Sequence, residues 1–177
     1  METITDPNLR VLETERLILR RFVPADAGFI LELLNEPSFV QNIGDRGVRT
    51  VSEAQRYVET GPAASYARNG FGLYLVLRKE SHESIGMCGL IKRESLDGVD
   101  LGYAFLPRFW SQGYAIESVR AVLEFARNVV GLERLLAIVD PDNQASIRVL
   151  EKAGFKYESM IRLSADDIEL RLFAIEI

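Results

Sequence analysis

The sequence predicts a mixed α/β fold, a sheet with helices on its faces, and three observations carry that expectation. Strand-like and helix-like segments follow one another in the order β-α-α, three strands, α-β-α, two strands. After Pro107 the apolar spacing changes from strand-like runs to a helical period. The 177 residues, 47% hydrophobic and 27% charged, suit one buried core and exclude a disordered, collagen-like or coiled-coil chain.

Residues 16–23 read as the first strand, ended by Pro24. Asp26 is placed as the cap of a helix whose apolar positions Phe29, Ile30, Leu33 and Leu34 recur at helical spacing, with Pro37 as its stop. A second helical stretch starts near Ser52-Glu53 and is interrupted by Gly61-Pro62. Residues 71–78 and 85–93 form a hairpin around a polar tip, and Asp97-Gly98 turns the chain into a third strand over 99–106. Over 113–130, Ala115, Val119, Val122, Leu123, Ala126 and Val130 make one apolar helical face. A short buried strand at 135–139, a helix at 144–152 ending at Ala153-Gly154, and strands near 157–163 and 168–177 complete the chain.

Composition removes several function classes. A net charge of −5 repels polyphosphates on average, which argues against nucleic acid and slightly favours a cationic or amine partner. One cysteine, Cys88 in an apolar strand, and one histidine, His82 in the hairpin tip, leave neither a disulfide nor a zinc site nor a catalytic triad. Residues 1–7 lack the basic and apolar regions of a signal peptide, and no apolar run reaches the roughly 18–20 residues of a membrane span. The expectation is a cytoplasmic protein with no membrane partner.

The most informative junction is 100–118, Asp-Leu-Gly-Tyr-Ala-Phe-Leu-Pro-Arg-Phe-Trp-Ser-Gln-Gly-Tyr-Ala-Ile-Glu-Ser, where a strand enters a turn at Gly113 and passes straight into a long helix. The first helical N–H groups have no internal acceptors and the dipole adds positive charge, so this terminus suits a phosphate. Gly113 and Ala115 let a ligand approach the backbone. The stretch has neither the three glycines of a dinucleotide fingerprint nor the Gly-Lys-Ser/Thr of a P-loop, and those readings fail. Downstream, Asp140-Pro141-Asp142-Asn143-Gln144-Ala145-Ser146 lies between a buried strand and a helix.

Taken together, Gly102-Tyr103…Trp110-Ser-Gln-Gly-Tyr-Ala-Ile-Glu117 and Asn143-x-x-Ser146…Glu151-Lys-Ala-Gly-Phe155 resemble the GNAT superfamily of acetyl-CoA-dependent N-acetyltransferases. The nearest branch is that of the ribosomal-protein N-terminal acetyltransferases of RimJ/RimL type, whose first strand Thr14-Glu15-Arg16-Leu17-Ile18-Leu19-Arg20 also resembles. The resemblance covers essentially the whole chain. It implies an α/β acyl-CoA N-acyltransferase fold, a mostly antiparallel twisted sheet of about seven strands flanked by about four helices. It also implies a single domain over 1–177, with its core from about residue 8.

The resemblance further implies acetyl-CoA as co-substrate and no metal. The pyrophosphate would lie on Trp110, Ser111, Gln112, Gly113, Tyr114 and Ala115. The pantetheine arm would lie in a gap between the strand ending Phe105-Leu106-Pro107 and that at 135–139, with Asn143 and Ser146 against it. The family usually has Gln or Arg three residues before the glycine. Here Trp110 stands there, read as packing under the loop while backbone amides hold the phosphates. Asn143 also suits a helix N-cap, and both roles are open.

Acetylating an amine requires removal of a proton from an ammonium, support for the thioester oxygen and a proton for the leaving thiolate. Asp100, at a position often acidic in the resembled branch, is the candidate base; the alternative is a solvent-facing turn residue. Strand amides beside Ala104 and Phe105 are placed at the thioester oxygen. Many GNAT enzymes have a tyrosine seven residues after the asparagine, but here Leu150 occupies that position. The RimJ/RimL-type branch has serine three residues after it, so Ser146 is the candidate acid, directly or through water; solvent protonation is the alternative. Tyr103 and Tyr114 are read as packing residues, with orientation of water or substrate as the alternative, and Glu117 as structural.

With no positioned Cys or His nucleophile, transfer is expected to be direct, in a ternary complex. The acceptor is a protein N-terminus or a small-molecule amine such as an amino acid, polyamine or antibiotic. Segments 35–51 and 160–168 are expected to decide which. The family often forms homodimers. A non-catalytic acyl-CoA-binding module on the same fold is the other function class weighed.

Overall fold

The computed structural model describes residues 8–177; the N-terminal segment read above as no signal peptide lies outside the described residues. The elements are β1 (Arg10–Glu13), β2 (Leu17–Arg20), α1 (Ala27–Asn35), α2 (Pro37–Asn42), α3 (Val51–Val58), α4 (Ala64–Asn69), β3 (Leu73–Arg78), β4 (Ser84–Lys92), β5 (Val99–Phe105), α5 (Tyr114–Phe125), β6 (Arg134–Val139), α6 (Gln144–Ala153), β7 (Lys156–Ile161) and β8 (Leu170–Glu176). The expected α/β architecture is present. The strand and helix counts are higher, because β1 pairs at the sheet edge and Pro37 opens α2 as well as closing α1.

The eight strands run in the order β1-β2-β3-β4-β5-β6-β8-β7. Every neighbouring pair is antiparallel except β5 and β6, which are parallel with one register pair, Asp100 opposite Leu136. One apolar core runs from Leu17 to Phe173 through both halves of the sheet. Tyr74 meets Phe125 of α5 edge-on, and the cross-strand register puts Cys88 and Tyr103 on that same face. Leu73, Ile91 and Asp100 lie on the opposite face, toward α3 and α4.

Cys88 is buried in this core and His82 is an exposed tip residue with φ of 56°, as expected for each. No helix among the described residues is long and apolar enough to cross a membrane.

Asp26 does not cap α1 with its side chain as predicted. Its carboxylate instead takes the Arg20 guanidinium at 2.7 and 2.8 Å and the Val23 N–H at 2.9 Å. Arg20 is 2% exposed, and its Nε has no partner. Removing one member of such a pair strands a charge away from water. Asp26→Ala is expected to destabilise the fold by about 3–5 kcal/mol in urea unfolding. Arg20→Met with Asp26→Leu should recover most of that loss.

Candidate active site

β5 and β6 touch at Asp100 and Leu136 and pair no further, so a gap opens toward their C-terminal ends. The Leu106 N–H bonds to the Ile85 carbonyl of β4 at 3.0 Å. Backbone alternation then turns the amides of Tyr103 and Phe105 toward the gap, and those of Ala104 and Leu106 toward β4. Two expectations are corrected by this. The gap-facing amides belong to Tyr103 and Phe105, with Ala104's on the other side. Leu106, wholly buried with its N–H bonded to β4, does not line the gap.

The turn from Trp110 to Gly113 delivers the chain to α5. Ser111 and Gly113 both have left-handed backbone, φ of 60° and 83°. At Gly113 a Cβ would also stand 3.2 Å from the Arg16 guanidinium. The first backbone bond of the helix runs from Glu117 N–H to the Gly113 carbonyl, leaving the amides of Gly113, Tyr114, Ala115 and Ile116 without intrahelical acceptors. This cradle, backed by the α5 dipole, fits a pyrophosphate. Trp110 does not pack under the loop: it is 47% exposed, and its indole N–H donates to the Phe105 carbonyl at 2.8 Å.

The turn is held from outside by the segment that joins β1 to β2. Arg16 donates to the Gln112 carbonyl at 3.0 Å, stacks 4.6 Å over the Tyr114 ring and pairs with Glu117 at 2.6 Å. Thr14 donates to the other Glu117 oxygen at 2.6 Å. Partial burial opposes ionisation of Glu117, but the Thr14 and Arg16 bonds outweigh it and hold its carboxyl below the usual range. Glu117 is structural, as expected. Arg16 is the clamp that sequence reasoning missed, since only the three-dimensional fold brings the β1–β2 connection to the turn.

On the far side of the gap, the Asn143 carboxamide oxygen accepts the Ser146 N–H at 3.0 Å. The cap role therefore holds, and the amide NH2 has no protein partner among the described residues. Ser146 Oγ lies 2.6 Å from the Tyr103 hydroxyl, which also lies 3.1 Å from the Ser146 carbonyl oxygen. Tyr103 is thus a polar bridge from β5 to the first turn of α6 rather than a packing residue. Burial raises its phenol above the ordinary value, against the Ser146 bond, and keeps it protonated. Leu150 is core, 1% exposed.

Asp100 is not a solvent-facing turn residue. It is 0% exposed, on the β5 face opposite Tyr103, and both carboxylate oxygens face Arg93 Nε, at 3.0 and 3.2 Å. Burial raises its carboxyl to about 6, against the lowering effect of Arg93. Arg93 lines a cavity on that face with Tyr57, Ile91 and residues of α4. The sequence held no spacing signal for this contact. No group of His, Cys, Asp and Glu suited to a metal occurs among the described residues.

Known proteins resemble the chain over nearly its whole length. The Acetyltransferase (GNAT) domain family matches residues 16–156. An uncharacterized N-acetyltransferase, YoaA of Bacillus subtilis (strain 168), is 29% identical over 153 residues, 86% of each chain. An uncharacterized protein of the same organism, YkkB, is 31% identical over 154 residues, covering 85% of this chain and 88% of that one. An acetyltransferase crystal structure from Agrobacterium tumefaciens superposes with a TM-score of 0.80 at 23% identity over 94% of each chain. The ribosomal L7/L12 alpha-N-protein acetyltransferase RimL, in complex with coenzyme A, superposes at 0.78 with 22% identity, over 93% of this chain and 96% of that one. The chain therefore belongs to the GNAT family of acetyltransferases and is an acyltransferase enzyme.

Proposed function

We propose that this single domain transfers the acetyl group of acetyl-CoA directly to a primary amine, as a cytoplasmic enzyme of the RimJ/RimL-like branch. One observation carries the reading: the β5–β6 gap opens between a phosphate-binding cradle on one side and a hydrogen-bonded Tyr103–Ser146 pair on the other. Acetyl-CoA supplies the activated acetyl group. The open amides of Gly113, Tyr114, Ala115 and Ile116 hold its pyrophosphate, and Ser111 and Gln112 shape the turn that presents them, the Trp110 N–H being taken by the Pro107 carbonyl at 3.1 Å. The Asn143 NH2 is free to bond the pantetheine arm. The amides of Tyr103 and Phe105 support the thioester oxygen.

Asp100 and Ser146 stand on opposite sides of β5, so base and acid do not compete for one space. Asp100 is too buried to touch an amine directly and takes its proton through a water in the Arg93-lined cavity. As the amine nitrogen bonds to the acetyl carbon and the C–S bond breaks, Ser146, its hydroxyl held by Tyr103, passes a proton to the sulfur while taking one from solvent. A protein N-terminus or a small amine serves as acceptor.

Calorimetric titration with acetyl-CoA, followed by thiol release over a panel of amines, tests the reading. Saturable binding with amine-dependent release is expected; no binding at millimolar acetyl-CoA ends it.

Asp100→Asn is expected to lower kcat by about 10²–10⁴-fold while acetyl-CoA affinity is kept. In the wild type kcat should climb with pH through about 6, as the Asp100 carboxyl ionises, and lose that step in the variant. The folded carboxyl titrates above its unfolded value, so its contribution to stability is full below about 4 and is lost as pH rises through about 6. Asp100→Asn should accordingly be no less stable than wild type at pH 8. An unchanged rate would reduce Asp100 to a counter-ion for Arg93.

For the acid, Ser146→Ala should cost about 10–100-fold in kcat, tempered by solvent protonation, with no change in acetyl-CoA affinity. Rapid-quench measurement of the transfer step distinguishes this from slowed product release.

A further inference from the structure

A cavity of about 470 Å³ lies between β3 and β4 and the α3–α4 segment, on the sheet face that carries Asp100, with Arg93, the partner of Asp100, in its lining. Its floor includes Leu73 and Ile91. A Cβ placed on Gly102 of β5 would meet the Ile91 side chain at 2.6 Å and that of Leu73 at 3.3 Å, so β5 lies directly behind that floor. The cavity is therefore beside the proposed base. Its volume accommodates an amino acid or the first residues of a peptide.

The charge of this cavity is opposite to that of the whole chain. Arg46, Arg68, Lys92 and Arg93 line it against one carboxylate, Glu94, whereas the sequence carries a net −5. Arg93 is matched by Asp100 behind it. Arg46 and Arg68 have no ion pair among the described residues, and Lys92 donates to the Gly98 carbonyl at 3.3 Å. The Tyr57 hydroxyl sits in the same lining: burial raises its phenol, with Arg46 and Arg93 acting in the other direction, so it remains a neutral donor. With Arg93 matched by Asp100, three cations remain against the one carboxylate of Glu94, beside a phenol donor, and a lining of that net positive charge repels a polyamine or aminoglycoside and attracts an anion.

We infer that the acceptor is an amine carrying at least one carboxylate close to the reacting nitrogen, with Arg46 and Arg68 as the residues that select it. The inference rests on acetyl transfer at the β5–β6 gap. The guanidiniums supply the planar, paired donors that fit a carboxylate, a geometry a lysine does not reproduce. A free acidic amino acid and an acidic peptide N-terminus present the same chemistry.

The probes are L-glutamate, L-glutamine and L-glutamine amide, which keep one skeleton while the carboxylates fall from two to one to none. The tetrapeptides Glu-Glu-Ala-Ala and Gln-Gln-Ala-Ala form the peptide arm, and spermidine is the cation. Titration into CoA-saturated protein reads affinity without turnover. Affinity is expected to fall about tenfold for each carboxylate removed. Arg46→Ala and Arg68→Ala, both at exposed positions, should each erode that difference while leaving glutamine amide unaffected. Tighter binding of the free amino acid than of the acidic tetrapeptide marks a small-molecule acceptor, and the reverse order marks a protein N-terminus.

Equal affinity across the series, preference for spermidine, or no binding of any acid overturns the inference. Thiol release from acetyl-CoA is scored on the same compounds. Release in the reverse charge order removes the acid preference and leaves acetyl transfer standing. Ordered binding with no release from any amine does the opposite.

Discussion

The candidate active site depends on one interrupted ladder. β5 and β6 are parallel neighbours that meet at Asp100 and Leu136 and then part. Parallel strands in a buried sheet ordinarily continue, because an open backbone amide away from water is costly. Here the divergence leaves the Tyr103 and Phe105 amides facing a slot, and the surrounding structure is arranged around it. The Trp110 indole takes the Phe105 carbonyl, and the Tyr103 hydroxyl spans to α6. Both contacts give partners to polar groups at the edges of the slot.

The α5 terminus is the second half of that arrangement, and it is fixed by residues distant in sequence. Ser111 and Gly113 adopt left-handed backbone, which for serine costs about 1–3 kcal/mol unless neighbours over-determine it. Arg16 and Thr14 supply that determination through Glu117, Gln112 and the Tyr114 ring. The connection between β1 and β2 thus has a part in the active site although neither Thr14 nor Arg16 is among the residues placed at the slot.

What was legible in the sequence was local. The Gly113 turn followed by an amphipathic helix, the Asn143 cap and the buried Cys88 all declare themselves within a few residues. β1 escaped because Arg10 and Glu13 frame only four residues at an edge, where charged ends hide the alternation. Asp26 misled because a cap and a buried counter-ion look alike in sequence, and Arg20 is drawn in only by the fold. The Arg93–Asp100 and Tyr103–Ser146 contacts join residues whose separation carries no period. The basic cavity was invisible for the same reason: Arg46, Arg68 and Lys92 come from separate elements, inside a chain whose total charge has the other sign.

The indole at the slot has an optical consequence. Trp110 is the only tryptophan in the chain, half exposed, with its nitrogen tied to the last carbonyl of β5. Light emitted by indole in this protein therefore originates at one point, where the strand hands over to the turn. Its wavelength and lifetime report hydration of that point alone, so events at the mouth of the slot can be followed in native protein with no added dye.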